Sequence, residues 1–525
     1  MLRRLSLWGL PLIATAGLVW LTQSHAPSAQ TAPLAVAERP DGTPEAYYAL
    51  GDEALTTGLT LITDYWTTLV EDSPALARGH VDHYLPIELK ALNYRPADAL
   101  MADLAEIFFA DRDPRTGLIA YPYAAALPPD PTPTGGATTT DQQQPVGLIE
   151  RAAELCAWFP ENRPLQTQCL DLAAATLTAF DVPTTSAQPT GLWGWVNVAG
   201  GRPRHSVTLT QDYGQVSLGM AQIAEAQQRP DLLQWADQKL QFVWQHPQSP
   251  TLPLLYEQFV LTQGRDRPEE PSSDTDTLYF VRQLFALCEL TDQPQYCAQA
   301  LATTDVWVDR AWVPEWGHFV RKLTPDGRPA VDSLYGDGKY NTLAMLVEAY
   351  RVTGDRAYLD RLQQAWQTLV RLGENGMAPE MVQRGVAVTD QGLDPQQTLF
   401  LEILLEAYAV SNDPAFLAAA NALGDTILSQ EEVALRLESG QGGAALLKLA
   451  LARRPISRLE VRLPHAAAHL TLRREDETLL QTQVPASVAV FYLPEGTYNL
   501  TVEGKTHGIA LWGQQRMVID MPIPQ

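Results

Sequence analysis

Two different rhythms of apolar and polar residues run along this chain. Up to about residue 430, apolar residues recur every three to four positions. VGLIERAAELCAWF, LLQWADQKLQFVW, YNTLAMLVEAYRV and YLDRLQQAWQTLV are examples. That spacing puts one apolar stripe on a helix and predicts amphipathic helices. After residue 455 the period falls to two, in SRLEVRLP, HLTLRRE, SVAVFYLP, TYNLTVEG and RMVIDMP. These runs, cut by Pro, Gly and charged turns, predict strands. Sheet-like runs are scarce before residue 455.

The helical region repeats itself. LVEAYRVTGDRAYL (346–359) returns as LLEAYAVSNDPAFL (404–417). Each copy reads as a helix end, a tight turn and a new helix start. Asp355 can accept from the free N–H groups of the next helix. Pro414 sits at a first helical position, where its missing N–H costs nothing. Looser copies put Pro96, Pro164, Pro230 and Pro294 in the same register, with Arg356 in the fifth and Pro414 in the sixth. Six hairpins of about 60 residues are predicted, and such units must stack to bury both faces. Their length and uneven connectors favour a closed ring over an open solenoid.

This repeat pattern, between about residue 80 and residue 430, resembles the six-hairpin (α/α)6 toroid of glycosidases, polysaccharide lyases and sugar epimerases. The resemblance rests on repeat number and length, and it implies a fold more than an activity. The tail stretch LPEGTYNLTVEG resembles the small β-sandwich modules found beside extracellular enzymes. The expected fold class is an all-α (α/α)6 toroid followed by a small all-β sandwich. The expected boundaries are a signal peptide or anchor over 1–26, a linker over 27–44, the toroid over 45–452 and the sandwich over 453–525.

Charge and cysteines narrow the setting. The 525 residues carry a formal net charge of −24, whose field repels nucleic acid and anionic membrane. Two arginines followed by an apolar run from Leu5 to Leu21 read as an export signal, cleaved or retained as a membrane anchor. Cys156 and Cys169, and Cys288 and Cys297, each straddle a predicted helix turn. In an exported protein they read as two local disulfides. No metal or cofactor is expected, and no GxSxG, Walker, HExxH or dinucleotide-binding pattern is visible.

The long connectors should gather on one face of a ring, where a pocket can form. An aspartate precedes or opens the helix after each connector: Asp82, Asp141, Asp212, Asp276, Asp337 and Asp394. The plain reading of each is a helix cap. Asp274 and Asp276 lie two apart and could share a site that raises one pKa. Paired carboxylates suit acid–base work on glycosidic bonds. The catalytic candidates are Asp276 and Glu315, with Asp212 or Asp337 as partner. The substrate-binding candidates are Asp274, Trp193, Trp195, Tyr213, Trp316, His318, Arg321, Lys339, Tyr340 and Glu380. They offer aromatic faces and charged groups suited to sugars, although WVPEWGHF could equally be a hairpin whose aromatics only pack.

The expected function is an exported glycoside hydrolase acting on a poly- or oligosaccharide. One alternative is a non-catalytic surface protein binding glycan or protein. A second is a uronate lyase or epimerase, for which Tyr340, His318 and Arg321 would matter.

Overall fold

The computed structural model describes residues 32–39, 41–74, 77, 85–86, 88–110, 112–120, 143–182, 190–199, 202–203, 207–262, 265–268, 272–388, 392–429 and 440–521. The apolar run Leu5–Leu21, Asp82 and Asp141 lie outside these residues. Among the described residues no helix is long and apolar enough to cross a membrane.

Helices α1 (Glu53–Asp72) and α2 (Arg95–Ala110) precede five helix pairs. These are α3 (Leu148–Trp158) with α4 (Arg163–Phe180), α5 (Thr210–Gln227) with α6 (Pro230–Gln245), and α7 (Asp276–Thr291) with α8 (Pro294–Arg310). Then come α9 (Asp337–Thr353) with α10 (Arg356–Leu372), and α11 (Gln397–Ser411) with α12 (Pro414–Ser429). Helix α13 (Gly440–Arg453) follows. The turns within the pairs are short, and the second helices begin at or beside the prolines and Arg356 of the repeat. Asp355 caps α10 by accepting from Ala357 N at 2.9 Å. Both cysteine pairs are bonded, tying α3 to α4 and α7 to α8, with Cα–Cα distances of 6.7 and 5.5 Å.

First helices pack side by side in the order α3, α5, α7, α9, α11, α13, and each second helix packs against its own partner. Helix α1 lies against α13, and α2 touches both α1 and α3. The α1–α13 contact is close because two glycines meet: a Cβ on Gly58 would stand 2.8 Å from Gly443 O.

The two helix classes are built differently. Helix α10 buries one stripe, Tyr358, Leu359, Leu362, Ala365, Trp366 and Leu369. Helix α7 is buried on most sides over its first turns, and its accessible positions are Asp276, Tyr279, Arg282, Ala286, Cys288, Glu289, Leu290 and Thr291. The first four of those recur at helical spacing, as expected when a helix is surrounded except along one line.

The C-terminal strands form two sheets over one core, joining Leu459, Val461 and Phe491 to Leu470, Leu472, Tyr498 and Leu500. The first sheet runs Ala35–Glu38, Pro44–Ala49, Val488–Pro494, Ile456–Arg462, Arg516–Asp520; the second runs Glu477–Gln483, His469–Arg474, Gly496–Val502, Lys505–Leu511. The first sheet corrects the expected boundaries. Residues 35–38, expected within a linker, and 44–49, expected to open the helical region, form a hairpin inside it. Gly42 at φ +79° turns that hairpin, and Pro44–Ala49 is buried because it lies beside Val488–Pro494. The connectors also hold short strands that the apolar pattern does not reveal. Tyr492 donates to Asn93 O at 3.3 Å, and buried Glu45 accepts from Arg39 Nε at 2.6 Å while facing Arg95 Nε at 3.5 Å. The sheets are thereby fixed to the start of α2, and the strand Ile456–Arg462 joins them directly to the end of α13.

Candidate active site

Helices α7 and α9 begin side by side: a Cβ on Gly338, at the start of α9, would stand 2.6 Å from Thr275 Oγ1, just before α7. Each helix opens with an aspartate. The strand Ser273–Asp274 before α7 pairs with Lys322–Leu323, placing Asp274 across from Lys322. Asp274 is fully buried and held by two cations: Arg321 Nε at 3.1 Å and Lys322 Nζ at 3.0 Å. Lys322 also meets Glu257 at 2.9 Å. The Arg321 guanidinium stacks over Tyr335 at 4.2 Å and reaches Asp276 at 3.5 Å.

Asp276 differs from its neighbour. Its side chain is 34% exposed and makes only the longer contact with Arg321. Burial, then the Asp274 carboxylate, push it up to about 6 against the Arg321 charge, with Glu257 and Asp337 adding to the rise. Two carboxyls two residues apart thus sit in different settings: one is clamped by cations, the other is partly exposed and raised towards neutral pH.

Asp337 stands exposed at the start of α9. Its charge is felt by Asp276, Tyr340 and Glu380. Burial, followed by nearby Asp394, raises Glu380. One turn into the helices stand Tyr279 and Tyr340, both half-buried. The Arg282 guanidinium sits 5.9 Å from the Tyr279 ring. Burial and Asp337 push the Tyr340 phenol up, so it holds its proton. Sequence reasoning passed over Tyr279 and Arg282. Their signal is the stripe of polar residues on an otherwise largely apolar helix.

Several expected site residues lie elsewhere. Tyr213 is fully buried, stacked on Phe242 at 5.6 Å with its hydroxyl accepting from Leu192 N, because helix α5 turns that face into the core. Lys339 is fully buried, with Nζ 2.6 Å from Asp394 Oδ2 and donating to Pro379 O at 2.8 Å. It ties α9 to the next connector and has no access to a substrate. His318 is buried, and its Nε2 accepts from Gly385 N at 3.1 Å, so burial lowers its pKa and its nitrogens are engaged. Trp316 stacks on that ring at 5.6 Å. Glu315 stands exposed between strands Trp312–Val313 and His318–Phe319. No described hydrogen bond or ion pair joins it to Asp276. Beside this hairpin a cleft of about 400 Å³ lies against the second helices α8 and α10, lined by Asp305, Trp312 and Arg361. Trp193 and Trp195 are half-buried; Trp193 N donates to Phe180 O, and Trp195 pairs with Pro145 in a small sheet.

Asp212, in the first turn of α5, reaches back to accept from Leu209 N at 2.9 Å. Burial pushes it up to about 7. A carboxyl whose folded pKa is raised favours folding while protonated, and that contribution fades as pH rises from about 4 towards 7. Asp212→Asn keeps the acceptor and removes the buried charge. Its melting temperature relative to the parent is expected to rise between pH 5 and pH 8; a difference independent of pH would contradict this.

No family model matches the chain, and no curated protein matches it in sequence. Solved structures are similar in fold. An α-1,2-mannosidase from Trichoderma reesei is 11% identical, with 72% of this chain and 85% of that one covered and a TM-score of 0.49. A cellobiose 2-epimerase from Spirochaeta thermophila is 15% identical, covering 68% and 98%, with a TM-score of 0.46. A possible member of the GH105 family from Salmonella enterica is 12% identical, covering 77% and 95%, with a TM-score of 0.41.

Proposed function

We propose that this protein is an exported glycoside hydrolase whose six helix hairpins close into a toroid, with the substrate entering where α7 and α9 begin. One observation carries the reading: the partly exposed Asp276 carboxyl, raised to about 6, stands beside an Asp274 neutralised by two cations. A carboxyl that keeps its proton near neutral pH can donate it to a departing glycosidic oxygen. Exposed Asp337 is the base that takes a proton from attacking water. Tyr279 and Tyr340 offer ring faces and hydroxyls to the sugar. The two disulfides fit an oxidising compartment.

An eliminative reaction would need a base beside a uronate. His318 is buried and engaged, and Tyr340 holds its proton, so that alternative has no base among the residues nominated for it. The remaining alternative is binding without catalysis.

The test is a screen of purified protein on neutral and anionic polysaccharides, reading new reducing ends and unsaturated-uronate absorbance in parallel. Reducing ends without absorbance are expected. Absorbance would shift the reading to a lyase, and silence in both channels across all glycans would leave a binder.

A further inference from the structure

The accessible stripes of the first helices are strongly charged, and nearly every cation on them has a carboxylate of its own. Arg151 lies 2.7 Å from Glu154, Arg351 2.5 Å from Glu348, and Lys448 3.5 Å from Glu402. At the rim, Arg321 and Lys322 hold Asp274 and Glu257. Arg282 stands apart, with no ion pair among the described residues.

Its position is well defined. It lies between one and two turns beyond Asp276 on α7, next to Tyr279 on the same stripe. Its Nη1 donates to Asn341 Oδ1 on α9 at 3.5 Å, the limit of a hydrogen bond. Its Nε is buried and has no hydrogen-bond partner. Its contacts with the Tyr279 ring and Asn341 seat the guanidinium between α7 and α9, and its charge is felt by Tyr279, Tyr340 and Glu348. A half-buried guanidinium whose inner Nε lacks a partner is costly to maintain without an anion on its accessible side. Guanidinium groups are also shaped to hold carboxylate or sulfate oxygens through paired N–H donors.

We infer that Arg282 is an anion-recognising residue of the substrate site and that the saccharide processed here carries a carboxylate or sulfate on the unit seated beside Tyr279. This inference rests on the proposed hydrolase reading. The chain's net charge of −24 opposes it only at long range, where dissolved salt screens the field. Contact with a guanidinium outweighs that repulsion.

The experiment compares hydrolysis of a uronate-bearing oligosaccharide, its carboxyl-reduced form and a sulfated counterpart by the full protein and by Arg282→Gln and Arg282→Lys. The parent is expected to prefer one anionic form, and Arg282→Gln to shrink that preference by roughly 10- to 100-fold. Which form is preferred tells carboxylate from sulfate. Because the readout is a ratio of kcat/KM values, a general loss of activity does not mimic the effect. In parallel, glucuronate and inorganic sulfate are titrated into Asp276→Asn and the Asp276→Asn/Arg282→Gln double variant by calorimetry. Binding lost only with Arg282 supports the inference even if no glycan is hydrolysed, which would sink the hydrolase reading alone. Hydrolysis with an unchanged anionic preference in Arg282→Gln overturns the inference and leaves the hydrolase reading standing.

Discussion

Asp276→Asn is expected to lower kcat by about 10²- to 10⁴-fold, the usual worth of a positioned proton donor. The variant should fold normally, because asparagine matches aspartate in shape, Thr275 and not Asp276 holds the N-cap position, and the Arg321–Asp274 contact at 3.1 Å does not involve Asp276. The pH dependence is the sharper part of the prediction. Asp276 titrates at about 6, and a general acid works only while protonated. Activity of the parent should therefore fall about tenfold per pH unit on the alkaline side of pH 6. Initial rates between pH 4 and 9 check this. An alkaline limb beginning near pH 4.5, or a variant with parental turnover, would remove Asp276 from the chemistry. The same proton makes a contribution to stability with the same sign, present below the ordinary carboxylate range and lost as pH rises towards 6.

The second large effect concerns stability. Lys339→Ala is expected to cost about 3–5 kcal/mol, the range for removing one partner of a buried ion pair. Lys339 and Asp394 have side chains 0% and 2% exposed. Burial raises the Asp394 carboxyl while the ammonium pulls it back down. Without the ammonium, a carboxylate and the carbonyls of Pro379 and Glu380 lose their donor inside the protein. Lys339→Met with Asp394→Leu replaces both charges by apolar groups of similar reach and should recover most of the loss. Urea unfolding of the three proteins measures the difference. A single variant within about 1 kcal/mol of the parent would mean that the pair is far weaker than its burial implies.

These cases show what a linear reading of the chain can reach. The helix starts near Pro164, Pro230, Pro294, Arg356 and Pro414 were legible because turn and cap chemistry is local. The period-two tail was legible for the same reason. Asp274 and Asp276 drew notice as a close acidic pair, and Arg321 as a nearby cation. Lys339 was misread because its partner, Asp394, belongs to a distant connector and only packing reveals that the pair is enclosed. Tyr213 and His318 failed alike: an aromatic or imidazole group in a suggestive stretch carries no mark of which way the backbone turns it. Tyr279 and Arg282 were missed for a different reason. Polar residues at helical spacing look like an ordinary outer face until the remaining sides of the helix prove to be covered as well. The strand Pro44–Ala49 escaped because PEAYYA does not alternate. A strand buried on both faces need not.

That strand has a consequence for how the protein comes into being. It sits parallel to Val488–Pro494, with Glu45 opposite Val488. All of the chain between the two strands must therefore be made before its neighbour exists, and so distant a pairing is slow to form. Made long before the strand it pairs with, it is thus among the last segments to settle. Until then its hydrogen-bonding edge stays open to other chains, a hazard that folding helpers would have to guard. Deleting either Ala35–Ala49 or Arg516–Asp520 would unravel the same layer.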